Sequence, residues 1–334
     1  MRKPTLEAVA LAAGVSKMTA SRALRGASDV SEDSMRKVIA AADRLGYVRN
    51  RLALSLSSNR TDLISVVVPS MTNIVFPEML AGINDGLAGT DMQAVFGITD
   101  YEPTKEYDVI RNMLSWQPAA IIVTGLDQLP RTRQLLLQAE IPVIQIMDTD
   151  GEPIEFNIGL SHQKAGADMA HALLQAGRRK IGYVGSALDK DMRAVKRRSG
   201  FEQVLGENGL SFIAQAIAPG FSSSTLGKEL TAELLSQRGD LDCIYYTNDD
   251  MAAGGLFAAM QRGVRVPEDL LLAGFNGLEI TNSLPVQIAT SRSPRREMGE
   301  IAARLACRAM TEERPLLERI ITFTPEITLG DATA

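Results

Sequence analysis

Residues 16 to 22 read S-K-M-T-A-S-R, which puts Ser16, Lys17, Met18, Thr19, Ser21 and Arg22 within two turns of a helix. Hydroxyls at a helix N-terminus suit phosphate oxygens, and a guanidinium fork matches O6 and N7 of guanine. The types therefore assign Ser16 and Ser21 to phosphates, Lys17 and Met18 to base edges and Arg22 to a guanine, with Thr5 and Thr19 completing the DNA-contacting set. A second constellation is Arg193, Lys196, Arg197 and Arg198. At helical spacing Arg193 and Arg197 share a face, so both can reach one carboxylate or phosphate. Lys196 and Arg198 fall off that face and read as solvated.

The first group needs a small helical frame. Thr5 caps a helix with Leu6, Val9, Ala10 and Ala13 at helical spacing, and Gly14 ends it. Ser16 caps a second helix, Lys17 to Leu24, after a turn short enough for a helix-turn-helix. A third runs from Ser31 to Gly46, its Val38, Ala42 and Leu45 closing a core with Leu6, Val9, Val15 and Leu24. Residues 1–60 carry eleven Lys/Arg against five acids, +6, so the remaining 274 residues carry −11 of the chain's −5. A basic head on an acidic body points to a polyanion bound at one end.

The phrases T-L-E-A-V-A-L-A-A-G-V-S-K-M-T-A-S-R-A-L-R-G and R-L-G-Y-V-R-N-R-L-A resemble the head of the lactose-repressor (LacI/GalR) family of bacterial transcription regulators. The resemblance implies a hinge helix over 50–57 that orders on operator DNA, with Asn50 and Ala53 at the duplex and Leu56 as a minor-groove wedge. Arg49 stands where the family usually has proline, replacing a fixed φ with a charge.

Beyond Arg60, short β-branched runs alternate with amphipathic stretches. The runs are Leu63–Val68, Gln93–Ile98, Ala120–Thr124, Val143–Met147, Ile181–Val184, Ile213–Ile217, Cys243–Thr247 and Leu270–Phe275. The alternation predicts an α/β domain of parallel sheets covered on both faces, split into two sets of four near Asp148–Pro153. The family resemblance implies a two-lobed type I periplasmic-binding-protein-like domain whose chain crosses between lobes three times, near Leu160–Gln163, Ser291–Pro294 and Phe323–Pro325. The expected organisation is a DNA-binding domain over 1–48, a hinge over 49–61 and an effector and dimerisation domain over 62–334. Its first lobe is about 62–161 and 292–323, its second about 162–291 and 324–334.

Ligands of open α/β sheets sit beyond the carboxyl ends of strands. Residues in such places include Ser70, Phe76, Asp148, Arg193, Arg197, Phe221, Asn248 and Asn276. The resemblance places the family's effector contacts on Ser70, Asp148, Arg197, Phe221, Asn248 and Asn276, a polyol-binding set with an aromatic wall. Asn276 replaces the family's usual aspartate, which removes a charge that would repel an anion. P-S-M-T-N-I-V-F, M-L-S-W, I-M-D and T-N-D-D-M-A are most similar to the gluconate-utilisation repressors. The expected partners are thus pseudo-palindromic operator DNA, a sugar-acid effector and a second copy of the chain, docked through Val75–Leu87 and Ala252–Met260. A dimer is expected, because the chain ends without a leucine heptad.

Other classes fit poorly. No G-x-G-x-x-G or G-x-S-x-G occurs, and Gly220 to Lys228 has the wrong spacing for a phosphate loop and Glu229 after it. Two histidines, His162 and His171, and two cysteines, Cys243 and Cys307, show no metal spacing, so neither metal nor cofactor is expected. His162 reads as a surface histidine. The apolar run Leu63–Val68 is too short to span a membrane, and no signal core precedes the head, so a cytoplasmic, nucleoid-associated regulator is expected rather than an exported solute-binding protein.

Overall fold

The computed structural model describes residues 4–27, 29–48, 61–312, 314 and 317–333. The chain divides into two units, residues 1–61 and 62–334.

The first unit holds α1 (Leu6–Ala13), α2 (Lys17–Ala23) and α3 (Glu32–Leu45). Each begins on a hydroxyl: Oγ of Thr5, Ser16 and Ser31 accepts from the backbone N–H of Ala8, Thr19 and Ser34 at 3.2, 3.0 and 3.3 Å. Gly14 and Gly46 end α1 and α3 at φ 68° and 62°, a geometry that costs a residue with a Cβ about 1–2 kcal/mol. The core is Val9, Ala10, Ala20, Ala23, Val38, Ala41 and Ala42. Leu45, expected inside it, is exposed, and Tyr47 packs against the cluster instead.

The second unit opens with β1 (Leu63–Val68), α4 (Val75–Leu87), β2 (Gln93–Ile98), α5 (Pro103–Leu114), β3 (Ala120–Thr124), α6 (Pro130–Leu137), β4 (Val143–Ile146) and β5 (Phe156–Gly159). It continues through α7 (His162–Gln175), β6 (Ile181–Ser186), α8 (Met192–Glu207), β7 (Ala214–Ala218), α9 (Ser224–Gln237), β8 (Cys243–Tyr246), α10 (Asp249–Gln261) and β9 (Leu271–Ala273). It closes with β10 (Thr290–Arg292), α11 (Arg295–Thr311), β11 (Ile320–Thr322) and β12 (Glu326–Thr328). One sheet has the order β11-β5-β4-β3-β1-β2 and another β7-β6-β8-β9, every pair parallel. β10 and β12 pair antiparallel between them. The expected division into four and four strands is therefore six and four, because β5 stays in the first sheet and β11 returns to it. The chain passes between lobes after β5, β10 and β11.

Burial on both faces explains the continuous apolar strands. In the second lobe Val184, Ile244 and Tyr246 fill one side of the sheet, and Tyr183, Tyr245 and Phe201 the other. Three helix pairs meet at reciprocal glycines. A Cβ on Gly166 of α7 would lie 1.9 Å from the Arg197 carbonyl oxygen of α8, and one on Gly200 of α8 would lie 1.9 Å from that of Gln163. Gly82 and Gly299 do the same for α4 and α11, and Gly227 and Gly254 for α9 and α10. These crossings bring backbones together and fix where α8 presents its cations.

α4 spends its apolar face on its own lobe: Phe76, Met79 and Ile83 are fully buried in a cluster with Met298 and Ala302 of α11. Docking of a second copy through Val75–Leu87 would therefore use the other side of this helix, where Pro77, Glu78 and Asn84 are exposed. Exposed apolar side chains among the described residues include Met71, Ile74 and Phe96 in the first lobe and Phe257 and Met260 in the second.

Candidate functional site

In the head, α2 turns Lys17, Met18 and Arg22 outward, Met18 at 70% exposure, while Ala20 and Ala23 face the core. The Ser16 and Thr19 hydroxyls bond each other at 2.8 Å on the first turn, and Ser21 is half-buried. Arg22 is ion-paired with Asp29 of the following turn. Asn50, Ala53 and Leu56 lie outside the described residues.

In the two-lobed unit the cleft is built from strand ends, and four of these turns carry non-glycine residues at positive φ: Tyr101 (58°), Met147 (72°), Ala187 (49°) and Asn276 (111°). Each such residue costs of order 1–3 kcal/mol and is held there by its surroundings. The strained turns aim side chains of both lobes at one another.

α8 supplies the cations. Arg193 is only 8% exposed; its Nε donates to Asp191 Oδ1 at 3.4 Å, its guanidinium lies 5.4 Å from the Phe76 ring centre, and its Nη1 has no hydrogen-bond partner. Arg197 is committed elsewhere: Nη1 donates to His162 Nδ1 at 2.9 Å, Nη2 to the Thr247 carbonyl at 3.1 Å, and the group stacks 4.1 Å from Phe275. An arginine only donates, so Nδ1 of His162 is the acceptor and Nε2–H donates to the Met147 carbonyl at 2.8 Å. Burial, then the charges of Arg197 and Arg193, hold this imidazole well below its usual pKa, so it stays neutral. Both arginines line the same recess, each with one buried nitrogen that has no partner, Nη1 of Arg193 and Nε of Arg197, and His162 is a buried link at the base of the cleft rather than a surface residue.

Lys196 departs most from expectation. It is not solvated; its ammonium donates to Asp148 Oδ2 at 2.6 Å and Asp127 Oδ2 at 2.9 Å. Asp148 is fully buried, and burial raises its pKa while Lys196 pulls it back. Phe76 sits in the lobe core and meets the cleft only beneath Arg193. Ser70 Oγ caps its own turn, accepting from Thr72 and Asn73 N–H at 3.1 and 3.2 Å. Asn248 caps α10 through Oδ1 and donates to Ser222 Oγ at 2.8 Å. Asn276, Arg193, Arg197, Asn248 and His162 line one small recess. Phe221, 59% exposed, reaches across the mouth to Tyr101 with ring centres 5.6 Å apart. Tyr101, Asp127 and Asp191 were not singled out from sequence, and Lys196 was read as solvated, because only the fold brings them to Arg193 and Asp148.

Glu106 of α5 flanks this cleft beside Asp127, and burial pushes its carboxyl up to about 7. The folded chain then keeps a proton that the unfolded chain releases above the ordinary 4.5. This group's contribution to stability is complete at low pH and is lost as pH rises through about 7. Glu106→Gln fixes the neutral form, so its Tm relative to wild type should climb between pH 5 and 7.5. A gap that stays constant would place ionisation below pH 5.

A helix-turn-helix and a cleft between two sheet-built lobes, carried by one chain, define a ligand-responsive DNA-binding regulator. Comparison with known proteins agrees. The lacI family of bacterial regulatory proteins matches residues 5–50, and a periplasmic binding protein-like domain matches 170–333. The HTH-type transcriptional regulator GntR of Pseudomonas aeruginosa is 37% identical, over 90% of this chain and 88% of its own length. GntR of Escherichia coli is 35% identical over 90% of each chain. Among solved structures, a LacI-family transcriptional regulator from Silicibacter pomeroyi superposes with a TM-score of 0.93 at 44% identity, covering 98% of both chains. The lac repressor dimer bound to operator shares the fold at TM-score 0.86, with 22% identity over 99% of each chain. The chain belongs to the lacI family of DNA-binding transcriptional regulators. These relatives are regulators, not enzymes. Among the described residues no helix is long and apolar enough to cross a membrane.

Proposed function

We propose that this regulator is a cytoplasmic repressor of sugar-acid catabolic genes, released from a pseudo-palindromic operator when a gluconate-like acid enters the cleft. The observation that carries the acid is Arg193: a cationic side chain more than nine-tenths buried, with Nη1 lacking a partner, that lines the same recess as Asn276. An orphaned buried guanidinium nitrogen is costly, and a carboxylate satisfies it with a charge-assisted bond. Asn276, which carries no charge, leaves that approach open. The similarity to regulators named GntR, and at 31% identity to IdnR of Escherichia coli, supports the same ligand class.

In this reading Asp148, Asn248 and Asn276 meet hydroxyls and Phe221 covers an apolar sugar face. Thr5, Ser16, Lys17, Met18, Thr19, Ser21 and Arg22 meet the operator, with Asn50, Ala53 and Leu56 at its centre. Exposed Met71, Ile74, Phe96, Phe257 and Met260 offer apolar surface for a second copy. A twofold dimer then reads two half-sites about one helical turn apart.

Calorimetry on the full chain with gluconate, its 6-phosphate, neutral hexoses and a purine tests the ligand, with an operator mobility shift run on the same mixtures. Binding of the acid, with release of DNA, is expected. Tight binding of only a neutral sugar or the purine overturns the assignment.

A further inference from the structure

Two of the five acids in residues 1–60, Glu32 and Asp33, open α3, where the positive end of the helix favours them, and Asp33 also pairs with Lys37 at 2.7 Å. Asp29 stands elsewhere. It lies between α2 and α3, beside the outward side of α2, where a carboxylate repels the phosphates that a basic head attracts. The backbone holds it there. The turn after α2 is closed by Gly26 N–H to the Ala23 carbonyl at 3.0 Å and Ala27 N–H to the Arg22 carbonyl at 3.1 Å, with Gly26 at φ 71°. Val30 N–H bonds the Ala27 carbonyl at 3.2 Å, and the Val30 side chain packs against the core of the head. Asp29 is thus anchored on both sides, and its Oδ2 meets Nη2 of Arg22.

Both side chains are close to half exposed, 44% for Arg22 and 47% for Asp29, so the pair contributes little to folding. Its use lies in docking. A guanidinium carries five N–H donors in a planar fork, and a contact at Nη2 leaves enough of them for O6 and N7 of a guanine. A long side chain already held in one rotamer also loses less freedom when it binds. We infer that Asp29 is a positioning residue for base reading: it holds the Arg22 guanidinium in the attitude from which the fork meets a guanine. It thereby raises discrimination at one base pair of a half-site, at a cost in overall attraction to DNA. Specificity is a difference of affinities, so an acid that weakens every complex can still sharpen the choice among them. The inference rests on the proposed contact of Arg22 with the operator.

The two contributions of Asp29 have opposite signs, and fluorescence anisotropy of the full chain without effector separates them. The probes are a duplex selected by the wild-type protein from a randomised library, the same duplex substituted one base pair at a time, and an unrelated duplex. Asp29→Asn should bind the unrelated duplex about two- to threefold more tightly, since one negative charge near the phosphates is gone. Its preference for the guanine that Arg22 reads should fall about fivefold. Arg22→Ala should abolish preference at that same base pair, and adding Asp29→Asn to it should change preference there no further. Asp29→Glu, which keeps the charge, should restore most of the discrimination. Neither side chain belongs to the core of the head, so these substitutions leave its helices in place. A guanine preference that is unchanged or raised in Asp29→Asn overturns the inference and leaves Arg22 on the guanine. Should Arg22→Ala relax no base pair, the guanine contact itself fails, and the role of Asp29 fails with it.

Discussion

Arg193→Gln should weaken gluconate binding by about 30- to 150-fold, the equivalent of about 2–3 kcal/mol for removing a charge-assisted hydrogen bond from a desolvated site. The reason is local. Arg193 is held over Phe76 and against Asp191, so it is aimed before the ligand arrives, and its Nη1 has nothing else to bond. Glutamine keeps much of the length and a donor but loses the charge and the fork. Arg193→Lys keeps the charge without the fork and should fall between the two. Arg197→Gln should behave differently, because that guanidinium bonds His162 and Thr247 and its removal loosens the second lobe. Titration calorimetry with gluconate and a neutral hexose separates these outcomes. The acid-to-neutral affinity ratio should collapse in Arg193→Gln, while operator binding without ligand stays at the wild-type level. A ratio unchanged from wild type would remove Arg193 from the carboxylate.

What could be read from the sequence was what depends on neighbours along the chain. Caps at Thr5, Ser16 and Ser31 and stops at Gly14 and Gly46 mark the head, because a helix end is satisfied by residues within four positions of it. The long strands showed for a similar reason: LISVVV and AIIVT are apolar throughout only if both faces are covered. The strands that escaped, Phe156–Gly159, Thr290–Arg292, Ile320–Thr322 and Glu326–Thr328, are three or four residues long. They carry too few side chains for a period to show, and they exist because a partner strand stands beside them.

The candidate site divides along the same line. Residue types announced Asp148, Arg193 and Phe221, but not which cations would be in use. Lys196 lies one position from Arg197 in sequence and looked solvated, yet the crossing of α7 and α8 turns it to the first lobe. His162 and Arg197 are 35 residues apart and meet at 2.9 Å. No pattern of spacing on a single helix encodes a pairing made across a cleft, nor the positive φ at Tyr101, Met147 and Ala187, where the side chains give no turn signal.

That crossing sets up the largest stability effect. Alanine is a better helix former than glycine by about 0.8–1 kcal/mol, so propensity alone predicts that Gly200→Ala stabilises. The packing predicts the reverse, since its Cβ would sit 1.9 Å from the Gln163 carbonyl oxygen, and that atom is backbone that no rotamer can move. The helices must part, and overpacking of this kind costs typically 1–3 kcal/mol and occasionally more, which places Gly200→Ala at about 2–4 kcal/mol destabilised. Gly206, on the same helix, has nothing within 4 Å of an added Cβ and lies on the exposed side, so Gly206→Ala should gain up to about 1 kcal/mol. Urea unfolding followed by circular dichroism compares the two directly. Because Arg193, Lys196 and Arg197 ride on α8, Gly200→Ala should also weaken effector binding, and Gly206→Ala should leave it alone. Equal shifts in stability for both variants would mean that α7 and α8 can separate without cost, and that the glycine crossing does not set the position of the cations.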